Sequence, residues 1–194
     1  MPCIEAKATD QLNTDKFSSD KRAEKPGDLI ALDILILTGG ETFNGNTCAL
    51  NVIDEHSGYV HSIPMQSKHA SWRSEGGLCA IETVILDYKK NNHQPKVLRF
   101  DGEFDPKRNT YMKELLAKHN LSYQVTVPGE SRQNGLIENT NRVLPEMATA
   151  MMRGAPVGPL GHQFAGVALE HAASVRNRLP RHGKLVTPYE ASRG

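Results

Sequence analysis

The segment DLIALDILIL, Asp28 to Leu37, most constrains what this chain can fold into. It is a continuous Ile- and Leu-rich run, too short and too branched for a typical buried helix, and it suits a buried strand. One residue breaks it. Asp33 puts a carboxylate where water is scarce, and such a group is costly unless something compensates it. A polar sheet edge or backbone amides would serve.

The rest of the chain can be read around that strand. Residues 1–26 show no apolar periodicity and read as a flexible lead-in ending at Pro26-Gly27. TGGETFNGN reads as a turn, and TCALNVIDE and GYVHSIPM flank HSG as a strand-turn-strand hairpin. Leu78, Ile81, Ile85 and Tyr88 recur at helical spacing within SWRSEGGLCAIETVILDYKKNN. PKVLRF is a short strand ending at Asp101, and NTYMKELLAKHN is a helix capped by Asn109 or Thr110 and stopped near Asn120. LSYQVTV is a further strand, followed by a loop from Pro128 to Arg132. QNGLIENTNRVLPEMATAMMRG is a helix that Pro145 threatens to kink. GHQFAGVALEHAASVRNRL is a last long helix, with Ala165, Ala168, Leu169, Ala172 and Val175 in one stripe. Three early strands followed by alternating elements predict an α/β fold: a mixed sheet with helices on its faces.

Composition narrows the class. The 194 residues suit one domain, and 38% hydrophobic with 23% charged residues reads as globular. No apolar run approaches the ~18 residues of a membrane span, so no membrane partner is expected. Cys3, Cys48 and Cys79 are far apart and form no CxxC pair, which argues for a reducing compartment and against a disulfide framework or a zinc site within this chain. The net charge of +1 is unevenly spread: −5 over residues 1–60, +2 over 61–130 and +4 over 131–194. A basic C-terminal third is the footprint of an anionic partner or of a solvated mixed face.

Three acids draw attention together. Asp33 lies in the first strand, Asp101 just past a later strand end, where ligand crevices form in open sheets, and Glu138 on a helix behind a polar loop. Separately they read as a compensated strand acid, a turn residue and a surface glutamate. Converging, they offer the hard oxygen donors that Mg²⁺ takes, with room left for phosphate. Two such ions, about 4 Å apart, serve an in-line displacement at phosphorus.

ALD, RFDGEF and SRQNGLIENTNRVLPEMA, in that order, resemble the catalytic core of retroelement integrases, in particular those of copia-type retrotransposons. The family carries Asp, Asp and Glu, the last two at a near-fixed interval, and here 36 residues separate Asp101 from Glu138. NVIDEHSGYVHSIPMQSK and NRLPRHGKLVTPYEASRG are similar to further family segments, so the resemblance spans Asp28 to Gly194. It implies an RNase H-like fold with a five-stranded mixed sheet and helices on both faces. It implies a catalytic core over residues 27–194, with residues 1–26 a lead-in left from an N-terminal zinc-binding module of which Cys3 is the last cysteine. Asp33, Asp101 and Glu138 take the places of catalytic metal ligands for Mg²⁺, or Mn²⁺ as substitute, two ions per site. Gln133, Asn134 and Gly135 match the family's QNG loop beside the DNA end, Gly135 letting backbone approach closely. Asn141 and Arg142 share the helix face of Glu138, the asparagine to orient the glutamate or a nucleotide and the arginine to take a phosphate.

There are departures. Gly102 follows Asp101 directly where the family usually has Asn-Gly. Asn139 and Thr140 stand where basic residues commonly follow the glutamate. The activity implied is metal-dependent joining of element DNA 3′ ends to target DNA by transesterification, with endonuclease activity when water attacks instead. Double-stranded DNA is the implied partner, a homo-oligomer the implied assembly, and the nucleus, after assembly in cytoplasmic particles, the implied location. Two other readings stand beside it: a catalytically decayed, integrase-derived DNA- or protein-binding domain, and an RNase H-like nuclease that only hydrolyses. His119, His162 and His171 read as surface or helix-packing residues.

Overall fold

The computed structural model describes residues 23–73, 77–126, 131–156, 158–181 and 183–193, with side chains for all of these except 131–134 and 158–160. Most of the 1–26 lead-in, Cys3 included, and the segment 127–130 lie outside the described residues. Three strands open the fold: β1 (Leu29–Ile36), β2 (Cys48–Asp54) and β3 (Val60–Met65). Then come α1 (Ala80–Lys90), β4 (Val97–Phe100), α2 (Thr110–His119) and β5 (Ser122–Val125). The helices α3 (Ser131–Gly154), α4 (Ala165–Arg178) and α5 (Pro188–Arg193) close the chain.

The strands form one five-stranded mixed sheet in the order β3-β2-β1-β4-β5. β1 runs antiparallel to β2 and parallel to β4. The hairpin between β2 and β3 turns at Gly58, whose φ of 71° suits glycine and whose missing Cβ leaves room for the Arg181 guanidinium. Asp54, fully buried at the end of β2, accepts from the backbone amides of Gly27 (2.8 Å) and Ser57 (2.7 Å) and so ties the start of the domain to this turn.

Strand alternation divides the core in two. Ile30, Leu32, Leu50, Val52, Leu98 and Phe100 point to one face and pack with Ile81, Ile85, Met112 and Leu115 of α1 and α2. Ala31, Ala49, Ile53 and Val60 point to the other, against Ile137, Leu144 and Ala148 of α3 and Leu169, Ala172 and Ala173 of α4. Each fully buried Leu or Ile contributes about 1.5–3 kcal/mol through removal from water. Helices therefore cover both faces, as the sequence predicts.

Three local expectations change. α1 starts at Ala80, where the Cys79 thiol caps it by accepting from the Glu82 amide at 3.4 Å. Leu78 precedes the cap and is 53% exposed, so it is no part of the apolar face. α4 starts at Ala165, not Gly161, because Gly158–Phe164 forms a 3-10 turn in a stretch whose glycines and proline disfavour α-helix. In the stripe of α4, Leu169 and Ala172 are buried against α3 and the sheet, while Ala165 and Ala168 are half-buried. α3 continues through Pro145, whose missing N–H leaves the Asn141 carbonyl without its usual helical donor. Elsewhere the caps match the reading: Asn109 accepts from the Met112 amide at 3.2 Å, and Asn120 ends α2 in the left-handed conformation. Among the described residues no helix is long and apolar enough to cross a membrane.

Candidate functional site

The site is built on the α3 side of the sheet. β1 and β4 are parallel, with Ala31 opposite Arg99, so two residues further on Asp33 and Asp101 follow along neighbouring strands. Asp33 is half-buried. Its Oδ1 accepts from the Ile34 amide at 2.8 Å and its Oδ2 from the Asn141 side-chain amide of α3 at 2.7 Å. Burial raises its pKa from 3.8 to about 6, the Ile34 and Asn141 donors working against the rise and the nearby charges of Asp101 and Glu103 adding to it. Among the described residues no cation figures in that balance.

Asp101 leaves β4 and caps a short 3-10 turn, Gly102–Phe104, by accepting from the Glu103 amide at 3.0 Å. Phe104 anchors that turn in the core, edge-on to Trp72 at 5.3 Å. The direct Asp101-Gly102 junction is therefore a tight, pinned turn. Glu103 faces solvent and pairs with the Lys68 ammonium at 2.8 Å and 3.0 Å. The Lys68 pKa is raised, first by the Glu103 hydrogen bond and in part by the charge of Asp101. Lys68 and Glu103 are functional candidates that sequence reasoning passed over. Both lay in quoted segments, and Glu103 stands only two residues beyond Asp101.

Glu138 lies exposed on α3. Among the described residues no three His, Cys, Asp or Glu side chains converge closely enough to hold a metal ion. Asp33 feels the charges of Asp101 and Glu103, and Glu138 is exposed on the helix face. Gln133 and Asn134 fall among the side chains outside the described set. Gly135 is exposed within α3 with open space where a Cβ would stand. Asn141 orients Asp33, not Glu138. Arg142 is exposed, donating to Glu146 at 3.0 Å and to Asn139 at 3.0 Å. Thr140 is fully buried and donates back to the Leu136 carbonyl at 2.8 Å, so that position faces the core rather than a ligand. His119 sits between Glu82 (2.8 Å) and Lys89 (3.0 Å), a packing role far from the acids.

Behind Asp33 lies a buried polar row. Asn51 of β2 pairs with Asp33 across the sheet and donates to the Asn141 side-chain oxygen at 2.8 Å. Ser62 of β3 pairs with Asn51 and donates to its side-chain oxygen at 2.7 Å.

No protein-family model matches the chain. By sequence it is similar to the retrovirus-related Pol polyprotein from transposon TNT 1-94 of Nicotiana tabacum, 26% identical over 155 residues. The match covers 79% of this chain and 11% of that polyprotein, so the chain spans about a tenth of its relative. By structure it resembles the simian T-cell lymphotropic virus intasome solved by cryo-EM in complex with PP2A regulatory subunit B56 gamma, with a TM-score of 0.66 and 18% identity over 90% of this chain and 57% of that one. It also resembles the HTLV-2 integrase catalytic core domain in complex with magnesium, in its dimeric form, with a TM-score of 0.61 and 16% identity over 88% of this chain and 99% of that one. The mixed five-stranded sheet with its helices is the RNase H-like fold of those catalytic cores.

Proposed function

We propose that this chain, an integrase catalytic core by fold and resemblance with a retrotransposon Pol polyprotein among its sequence relatives, is a metal-dependent DNA strand-transferase. The observation that carries the reading is the Asp33–Asp101 pair. The Asp33 carboxyl, pushed to about 6 by burial and by its acidic neighbours, would be stabilised in charged form by a divalent cation. All-oxygen donors fit Mg²⁺ or Mn²⁺. Asp33 and Asp101 would hold it, and Glu138 would complete the set, two ions sharing the three carboxylates. Bound there, the ions supply Lewis acidity and charge neutralisation at a phosphodiester.

The chain's own groups take the remaining tasks. The 3′-hydroxyl of an element end attacks a target phosphodiester, the new P–O bond forms as the target 3′-oxygen departs, and no side chain becomes covalently attached. Asn141 fixes the Asp33 carboxylate. Arg142 exchanges its exposed pairing with Glu146 for a phosphate, and Gln133, Asn134 and Gly135 flank the DNA end. Contacts are mainly to phosphate, so binding weakens steeply with salt. Paired insertions need more than one active site, which implies a homo-oligomer working on double-stranded DNA, in the nucleus. The magnesium and the dimeric form belong to the HTLV-2 domain, and they are carried over to this chain as part of the proposal.

A second reading has one observation in its favour. Glu138 stands exposed and ungathered, as it would in a decayed, integrase-derived binding domain. A disintegration assay separates the two. A branched DNA mimicking the strand-transfer product is incubated with Mg²⁺ or Mn²⁺ and either wild type or Glu138→Gln. Resealed target from wild type, lost in the variant, supports the transferase. A folded wild type that binds metal but reseals nothing supports the decayed domain. Product from both proteins removes Glu138 from the ligand set.

A further inference from the structure

Asn51 is the least expected residue in the core. It is fully buried in the middle of β2, between Leu50 and Val52, where an apolar residue of its size would avoid desolvating an amide. Its side chain makes two hydrogen bonds. One goes to Asn141, 90 residues away, and one comes from Ser62 of the edge strand, itself 6% exposed. Asn141 in turn reaches Asp33, 108 residues away.

The polarity of this row is set by its chemistry. An ionised carboxylate only accepts, so Asn141 must turn its NH₂ to Asp33 and its oxygen to Asn51. Asn51 must then turn its NH₂ to Asn141 and its oxygen to β3. A group there must donate, and the Ser62 hydroxyl does. Without that donor the Asn51 amide can rotate. Its oxygen then meets the oxygen of Asn141, and the far end of a rotated Asn141 sets oxygen against the Asp33 carboxylate.

We infer that Ser62 and Asn51 are positioning residues for the proposed metal site: through a one-way hydrogen-bond relay to Asn141 they hold the Asp33 carboxylate in the orientation that takes the cation. The inference rests on the reading of Asp33 as a metal ligand. Neither Ser62 nor Asn51 touches metal or DNA.

The test uses the whole chain and Mn²⁺ alone, titrated calorimetrically into wild type, Asn51→Leu, Ser62→Ala and Ser62→Thr, with urea unfolding of each as a control for folding. Loss of an outer-shell partner is expected to weaken Mn²⁺ binding about tenfold in Asn51→Leu and Ser62→Ala, while Ser62→Thr, which keeps the hydroxyl, stays within about twofold. In NMR spectra the Asn141 side-chain amide resonances should be shifted and exchange-protected in wild type and Ser62→Thr, and solvent-like in Ser62→Ala. Should Asn51→Leu fail to fold, the Ser62 pair carries the decision. Unchanged Mn²⁺ affinity in folded Ser62→Ala overturns the relay and leaves the metal site standing. Equal losses in Ser62→Ala and Ser62→Thr also overturn it, because packing rather than the hydroxyl would then be at work. A wild type that binds no Mn²⁺ overturns the metal-site reading itself, and the relay with it.

Discussion

The two faces of the sheet are made from the same strands and have opposite characters. On the α1/α2 side the inward residues of β1 and β4, and those of β2 from Cys48 to Val52, are apolar, and Phe100 and Phe104 pack 5.8 Å apart between ring centroids. Glu82, Lys118 and His119 pair with each other on this side, and His61, 3.9 Å from Asp87, has its pKa pushed down to about 4 by burial. On the α3/α4 side a small-residue core is crossed by Ser62, Asn51 and Asp33, and Arg99 follows on β4, donating to Gln124 at 3.0 Å. One face holds the fold together. The other gives up dry packing to place a carboxylate held by the Ile34 and Asn141 amides.

The largest effects should separate the faces by activity. Asp33→Asn is expected to lower disintegration on the order of a thousandfold, about 4 kcal/mol of transition-state stabilisation. In metal-free protein at pH 8 the same change should raise stability by about 1–3 kcal/mol in urea unfolding, because it removes a poorly compensated charge. An unstabilised Asp33→Asn would mean that the α3 face carries no such cost.

On the dry face the sign reverses. Phe104→Ala or Ile85→Ala should cost about 2–5 kcal/mol of stability, with little loss of turnover per folded molecule for Ile85→Ala, which is remote from the acids. A large catalytic loss in Ile85→Ala would erase the distinction between the faces.

The faces should also titrate in opposite directions. The folded pKa of Asp33 lies above its unfolded value, so its penalty is absent below about pH 4, grows through about pH 6 and is complete above. Metal-free stability should fall by about 1–3 kcal/mol over that window, and the fall should vanish in Asp33→Asn. Glu82 is held low by Lys118, with His119 helping against burial, so its contribution is present at neutral pH and lost as pH falls through its folded pKa. Comparing Glu82→Gln with wild type across acid pH isolates that opposite slope.

The smallest effect is expected at the surface. The Arg142–Glu146 pair has both side chains more than 60% exposed, so Arg142→Ala should change stability by less than about 0.5 kcal/mol. The same variant should weaken DNA binding at low salt and flatten its salt dependence. An unchanged salt slope would remove Arg142 from the proposed DNA contacts.

Sequence by itself determined the strands, the hairpin, a cap at Asn109 or Thr110 and the stop at Asn120, the α/β class and the three acids with their spacing. Those features rest on short-range physics: period-2 alternation, side-chain capping, the left-handed tolerance of Asn, and a motif read in order. It did not determine where α4 begins, because a Gly- and Pro-containing stretch next to a helical pattern has nearly equal local alternatives. Nor did it reveal that Thr140 faces the core while Arg142 faces solvent, since the helix phase is set by which side meets the sheet. Above all it could not show that Asn141 serves Asp33, or that Asn51 and Ser62 stand behind Asn141. Those bonds join residues brought together only when β1, β2, β3 and α3 pack, and no local preference encodes a hydrogen bond across 90 or 108 residues. The sequence supplied the acids; the tertiary structure decided that Asp33 and Asp101 follow along neighbouring strands, and that the Ile34 and Asn141 amides hold the first of them in place.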